Sequence, residues 1–260
     1  MSAASGRRSI FITGAASGIG RATADYFAGQ GWFVGAYDVN KDGLASLKDD
    51  FGGDNGLFSA LDVTDRSAVQ AAVDQFGAAT GDKMDILYNN AGIIADGMFA
   101  EQSWTTVMAV LNVNLIGGLS LIHAAIPLLK ATPGSLCMST SSASATFGSP
   151  GRAIYSATKH AIKGFTEAIS VELSVHGVRA ADVLPGIIDT GMMTDEVRAI
   201  LPKEGMWRLM PPRAVAEAVM AAYDGKKLHH YVPEDLFDYD KEATLTPEVV
   251  RDRRAAGGLF

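Results

Sequence analysis

The feature that most constrains the fold of this chain is a strict alternation of short apolar runs of β type with longer helical patterns. The strand-like runs fall at residues 9–13, 33–37, 57–61, 84–88, 135–139, 178–184 and 228–232. Helical patterns fill the spaces at 20–30, 41–51, 66–79, 103–129, 154–176 and 213–223, with Asp65 placed as an N-cap and Gly31 and Gly177 as helix stops. Strands that are apolar along most of their length must be covered on both faces. The pattern therefore predicts an α/β, Rossmann-like, doubly wound parallel sheet of about seven strands with helices on either side. No repeat, low-complexity tract or Pro/Gly-rich linker divides residues 1–260, so a single domain is expected. Two segments leave the rhythm: a Met- and Pro-rich stretch at 186–212 and the tail at 233–260.

Composition narrows the class of protein. A chain that is 48% hydrophobic, with net charge −7 and a pI near 5.2, has ample material for a core and no basic stripe for a nucleic-acid backbone. Arg251 to Arg254, reading RDRR, is too short to alter that. No run of about 18 uncharged apolar residues is expected to cross a membrane, and the opening MSAASGRRS lacks the apolar segment of a secretory signal. The expectation is a cytoplasmic protein with a small-molecule substrate and with neither nucleic acid nor membrane as a partner. The single cysteine, Cys137, lies in the apolar stretch SLCMST and reads as core filler. Adjacent His229 and His230 have no third ligand nearby in sequence and read as polar residues at a strand end, so no metal is expected.

The first strand runs straight into TGAASGIG, with Gly14, Gly18 and Gly20 before an alanine-rich helix. Glycines at that junction let a ligand approach the backbone, and the helix N-terminus supplies N–H groups and positive potential for a pyrophosphate. A glycine-rich turn that merely packs is the alternative. Asp38 ends the second strand about 20 residues further on, where a carboxylate reaches both hydroxyls of an adenosine ribose. Its charge opposes a 2′-phosphate, which favours NAD (NADH) over NADP; a turn or capping aspartate is the plainer reading. In GRAIYSATKHAIKGF, Tyr155 and Lys159 stand four apart on one helix face. An adjacent ammonium lowers a phenol's pKa, and such a pair can exchange a proton with an alcohol or ketone oxygen, although this spacing also occurs as simple surface decoration. The hydroxyls of STSSASATFG lie upstream.

Together these segments resemble the short-chain dehydrogenase/reductase family over residues 9–193. TGAASGIG resembles its TGxxxGIG, Leu61-Asp62-Val63 its adenine-side motif, Asn89-Asn90-Ala91-Gly92 its NNAG, VNLIGG the setting of its asparagine, Tyr155 with Lys159 its YxxxK, and PGIIDT its PGxxxT. The resemblance implies an oxidoreductase, an NAD-dependent short-chain alcohol dehydrogenase or ketoreductase, in which hydride passes between NAD(H) and a secondary alcohol or ketone. Tyr155 is then the acid/base. Ser142 holds the substrate oxygen, Lys159 lowers the tyrosine's pKa and binds the nicotinamide ribose, and Asn114 anchors a relaying water. The cofactor would lie along Gly14, Ser17, Gly18, Ile19 and Gly20, with Asp38 at the ribose. Asp62 and Val63 would meet the adenine. Asn89, Ala91 and Gly92 would sit beside its ribose, while Pro185, Gly186, Ile188 and Thr190 lie near the carboxamide. A non-catalytic dinucleotide-binding or scaffold protein on the same fold is the alternative.

The family also implies a homodimer or homotetramer formed through the two long helices, to which Ile162 and Phe165 would contribute surplus apolar surface. Substrate contacts are expected from Ile93, Ile94, Ser144, Phe147, Ile187, Met192, Met193, Met206 and Trp207, an apolar set that suits a hydrophobic alcohol or ketone. Arg198, Lys203 and Arg208 offer charged handles within the same region or serve only as solvated surface. The tail does not match the family's ending, and nothing is transferred to it.

Overall fold

The run SIFIT is buried at every position and forms β1 (Ser9–Thr13), flanked in parallel by β2 (Phe33–Asp38) and β4 (Ile86–Asn89). In the computed structural model, which describes residues 6–51, 56–191 and 195–257, these strands are joined by β3 (Gly56–Ala60), β5 (Leu136–Thr140), β6 (Arg179–Pro185) and β7 (His229–Val232). All pair in parallel, in the order β3-β2-β1-β4-β5-β6-β7. Each strand lies within two residues of its predicted place.

Alternate residues of each strand feed two cores, as the two-residue period requires. Phe11, Phe33, Tyr37 and Cys137 face α3 (Arg66–Thr80), α5 (Gly118–Lys130) and α6 (Ala153–Ser174), meeting Phe76, Leu121 and Ile169. Phe11 stacks on Tyr37 with ring centroids 4.0 Å apart. Ile10, Ile12, Val34 and Val183 face α1 (Gly18–Gly29), α2 (Lys41–Asp50) and α8 (Pro212–Asp224), meeting Phe27, Leu47 and Val219. Burial pushes the Cys137 thiol up to about 12, which suits its reading as core filler.

The helix ends follow local chemistry. Asp65 caps α3 by accepting from the N–H groups of Ser67 and Ala68 at 2.9 and 3.0 Å. Gly31 and Gly177 take left-handed φ of 80° and 72°. The N–H groups of Trp32 and Val178 then reach back to Phe27 O and Leu173 O.

Three expectations need correction. The stretch predicted as one helix at 103–129 is α4 (Trp104–Leu111), a π-helical turn (Asn112–Gly117) and α5. Two glycines lie at the break: a Cβ on Gly117 would lie 2.9 Å from Val63, and one on Gly118 2.6 Å from Asn89. The 27 residues Trp104–Lys130, which contain an 18-residue window of mean hydropathy 1.7, are also long and apolar enough to cross a membrane by length and composition, against the expectation of no such run. In the fold Leu121, Ile122, Ala125 and Leu129 pack into the core beneath the sheet. Finally, the 186–212 stretch contains the short α7 (Asp195–Ile200), and the tail forms two helices, α9 (Leu236–Leu245) and α10 (Pro247–Ala255).

Candidate active site

The strand order reverses between β1 and β4, and the singled-out residues of these strands collect at their C-terminal ends, where a crevice opens in sheets of this type. Gly14 and Gly18 there have φ of +67° and +53°. A Cβ on Gly14 would come within 3.0 Å of Ala91 Cα, one on Gly18 within 3.2 Å of Thr190, and one on Gly20 within 2.0 Å of Gly14 O. At Gly14 and Gly20 backbone therefore packs on backbone, and only glycine permits it. Ser17 precedes α1 without a side-chain capping bond, so the helix presents its first N–H groups at this point. Ile19 is half-buried against the second core. Asp38 Oδ2 accepts from Ala16 N at 3.0 Å and Oδ1 from Asn40 N at 2.9 Å, so the carboxylate ties the glycine loop to the end of β2. Asp62 is exposed and folds onto Thr64, while Val63 and Asn89 are buried against Gly117, which ends the π turn, and Gly118, which begins α5.

A clamp that sequence reasoning missed holds the crevice together. Thr13 Oγ1 accepts from the N–H groups of Asn90 and Ala91, both at 3.1 Å. Asn90 Nδ2 donates to Thr13 O at 3.0 Å, and its Oδ1 accepts from the Thr140 hydroxyl at 3.1 Å. The ends of β1, β4 and β5 are thereby laced together. The available signal was a threonine ending each of two buried strands.

On the α6 side, Ser142 is close enough to the Tyr155 phenol to lower its pKa, and the Lys159 ammonium lies 5.6 Å from the centre of the Tyr155 ring. Lys159 is only 4% exposed and donates to Thr140 O at 2.7 Å. Asn114, in the π turn, accepts from Ile93 N at 2.8 Å and donates to Ile93 O at 2.9 Å and Thr158 Oγ1 at 3.3 Å. Gly92 lies between Asn114 and Lys159: its Cβ would stand 3.4 Å from one and 3.7 Å from the other. The four residues are thus gathered at one place. Burial raises the Tyr155 pKa, and the Ser142 hydrogen bond and the charge of Arg152 oppose it. The sequence reading gave that lowering to Lys159, whose own pKa burial depresses to about 8, with Asp182 working against the fall.

Residues 8–200 match the family model described as short chain dehydrogenase. The chain belongs to the short-chain dehydrogenase family. It is 35% identical to the 3-oxoacyl-(acyl-carrier-protein) reductase of Thermotoga maritima over 219 residues, covering 80% of this chain and 87% of that one. It is 37% identical to momilactone A synthase of Oryza sativa subsp. japonica over 200 residues, 73% and 72% of the two chains. The fold matches a 3-ketoacyl-(acyl-carrier-protein) reductase from Brucella melitensis solved with NADH, with a TM-score of 0.78 and 28% identity over 86% of this chain and 96% of that one.

The residues expected to meet the substrate lie on several segments of this short-chain dehydrogenase. Ile93 and Ile94 are exposed on a loop that is pinned to the start of α6 by Gly97 N donating to Gly151 O and by the Asp96–Arg152 ion pair. Ser144 is buried, with its N–H donating to Ser142 Oγ at 3.0 Å. The buried Ile188 forms a β-bridge with Met210, and Ile187 O accepts from Met210 N at 2.8 Å. Gly186 packs beneath Leu236 of α9, while Pro185 closes β6. Met192 and Met193 lie outside the described residues. Phe147, Met206 and Trp207 pack against Tyr239, Ala243 and Val250 of the tail helices, with the Trp207 and Tyr239 rings 5.2 Å apart edge to face. Arg254 lies 5.7–5.9 Å from the rings of Phe147, Trp207 and Tyr239. Of the three charged handles, Arg198 pairs with Asp189 and Arg208 with Asp235, and Lys203 is exposed.

Proposed function

We propose that the chain transfers a hydride between NAD(H) and a hydrophobic secondary alcohol or its ketone, using Ser142, Tyr155, Lys159 and Asn114. The observation that carries this reading is the gathering of Tyr155, a buried Lys159 and Asn114 around Gly92, next to Ala91, against which Gly14 of the glycine loop packs. The crevice fits a nicotinamide dinucleotide: its glycines leave no room for a Cβ, the start of α1 has no side-chain cap, and Asp38 stands at the end of the neighbouring strand. NADH in the Brucella melitensis reductase supports that choice. Bound there, the nicotinamide supplies the hydride donor or acceptor.

Ser142 and Tyr155 hold the substrate oxygen between their hydroxyls, and Tyr155 gives or takes its proton. Lys159 holds a positive charge beside the phenol and binds the nicotinamide ribose. Asn114 fixes the 91–93 loop and orders the relay water. Asp62 and Val63 would hold the adenine side of the cofactor, Asn89, Ala91 and Gly92 its ribose, and Ile188 and Thr190 the carboxamide. Reductases of 3-oxoacyl groups among the relatives support a ketone as the oxidised partner. A panel of secondary alcohols, ketones and 3-oxoacyl thioesters, followed at the nicotinamide absorbance with NAD(H) and NADP(H), tests the reading. Turnover with an apolar ketone and NADH is expected. Absence of both turnover and NADH binding rejects it.

A further inference from the structure

Across the α6-facing side of the sheet, just below its C-terminal edge, runs a row of polar residues in register. Asn89 pairs with Ser139, Ser139 with Asp182, and Asp182 with His229. Asp182 is the exceptional member. It is 0% exposed, sits in an inner strand that is otherwise buried and mostly apolar, and plays no part in the chemistry derived above. His229 Nδ1 donates to its Oδ1 at 2.7 Å, and His229 Nε2 lies 3.4 Å from Glu167 of α6. Among the described residues, Asp182 Oδ2 has no hydrogen-bond partner. A buried carboxylate with one unpartnered oxygen is a heavy electrostatic burden unless a positive charge lies nearby.

One does. Lys159 reaches down from α6 to Thr140 O, one residue beyond Ser139, which is the residue beside Asp182. We propose that Asp182, gripped by His229, is the buried counter-ion of Lys159 and a positioning residue for the proton transfer. This rests on the reading of Lys159 given above. The titratable groups around Asp182 are Lys159 and Glu167 from α6 and His229, His230 and Tyr231 from β7. Asp240 of α9 faces Tyr231 and is held by Lys163 and by the Tyr231 hydroxyl. Lys159 is the cation in this set without an ion pair, while Lys163 is committed to Asp240. The pair acts through Lys159: the carboxylate holds the proton on the ammonium against the burial that would expel it, and His229 holds the carboxylate in place.

The test reads Lys159 directly, in ligand-free protein. Competitive acetylation across pH, followed by mass spectrometry of the peptide carrying Lys159, gives its protonation midpoint, expected near 8 in the unaltered protein. Asp182→Asn is expected to lower that midpoint by about one pH unit or more. His229→Gln keeps a donor to Asp182, so it leaves the midpoint in place. If Asp182→Asn does not fold, Asp182→Ser leaves room for a water and carries the same expectation. An unchanged midpoint in the Asp182 variant overturns the proposal, as does an equal shift in His229→Gln, which would trace the effect to packing. The alkaline limb of the turnover profile should move with the midpoint. Tyr155→Phe separates the two readings: turnover retained there rejects the assigned chemistry, whereas turnover lost with an unmoved Lys159 midpoint in Asp182→Asn rejects the counter-ion alone.

Discussion

Asp38 holds the glycine loop through Ala16: its Oδ2 accepts the Ala16 N–H at 3.0 Å from the neighbouring strand end. A fixed negative charge thus stands beside the place proposed for the adenosine ribose. A like charge about 4 Å away costs on the order of 4 kcal/mol at an effective dielectric near 20, and the 2′-phosphate of NADP brings nearly two. NADH should therefore bind more tightly than NADPH. Asp38→Asn should narrow the gap while keeping an acceptor for Ala16. Asp38→Ala should narrow it and weaken both cofactors, because the loop loses its anchor. Fluorescence titration measures each affinity, and equal values in the unaltered protein would rule the argument out.

Tyr155→Phe removes one oxygen, the phenol oxygen near Ser142, and leaves the ring in place. Turnover should fall by about 10²–10⁴, the usual worth of a positioned acid/base, with NADH affinity within a few-fold of normal. If more than a tenth of the activity survived on a good substrate with chemistry rate-limiting, the proton-transfer role would be wrong.

Lys159 carries its charge below about 8 and loses it above. NADH affinity and turnover should both decline as pH rises through that value, and Lys159→Ala should lower both and abolish the decline. The linkage to stability has the opposite sign. The native state binds the lysine proton less well than the unfolded chain, so burial of the charge opposes folding at neutral pH, and that cost is relieved as pH climbs from about 8 toward 10.5. Stability and activity measured over the same range should diverge.

The sheet and its main helices were legible in sequence because each was written in purely local terms: apolar runs for strands, Asp65 as a cap, and glycine where Gly31 and Gly177 needed positive φ. The glycine loop and the Tyr155–Lys159 pair were legible because their spacing is short. Other features were hidden for identifiable reasons. The π turn at Asn112–Gly117 barely disturbs the apolar pattern on either side of it. The tail helices carry few buried apolar residues, chiefly Leu236, Tyr239, Ala243 and Val250, among many charges. Asp182 left the clearest trace, a carboxylate within VRAADVLP, whose partner lies 47 residues away on β7.

The tail is fastened to α6 by a nearly buried ion pair. Lys163 Nζ and the Tyr231 hydroxyl both donate to Asp240 Oδ2, at 2.7 and 2.6 Å, with side-chain exposures of 18% for Lys163 and 11% for Asp240. Removing one partner leaves a charge uncompensated, so Asp240→Asn should destabilise the fold by on the order of 3 kcal/mol in urea unfolding. The double variant Lys163→Met with Asp240→Leu should recover most of that loss. A loss in the double variant as large as in the single one would show that shape, and not charge pairing, fastens the tail.

Oligomer formation is the remaining expectation, and the structure changes the residues that would carry it. Ile162, offered as surplus apolar surface, is 1% exposed, and Phe165 packs on the core. The apolar side chains left outside on these helices and at their ends are Trp104 at 69% exposure, Ile116 at 56%, Val171 at 71% and Val175 at 81%. At about 25 cal/mol per Å², burying a tryptophan's 150–250 Å² is worth roughly 4–6 kcal/mol, enough for this face to govern association. The purified protein should scatter light as a dimer or tetramer at micromolar concentration. Trp104→Asp combined with Val171→Asp should shift it to the monomer with its far-ultraviolet circular dichroism unchanged, since neither side chain enters the core. A monomeric mass for the unaltered protein would reject the assembly, and a dimer that survives both substitutions would place its contact on another face.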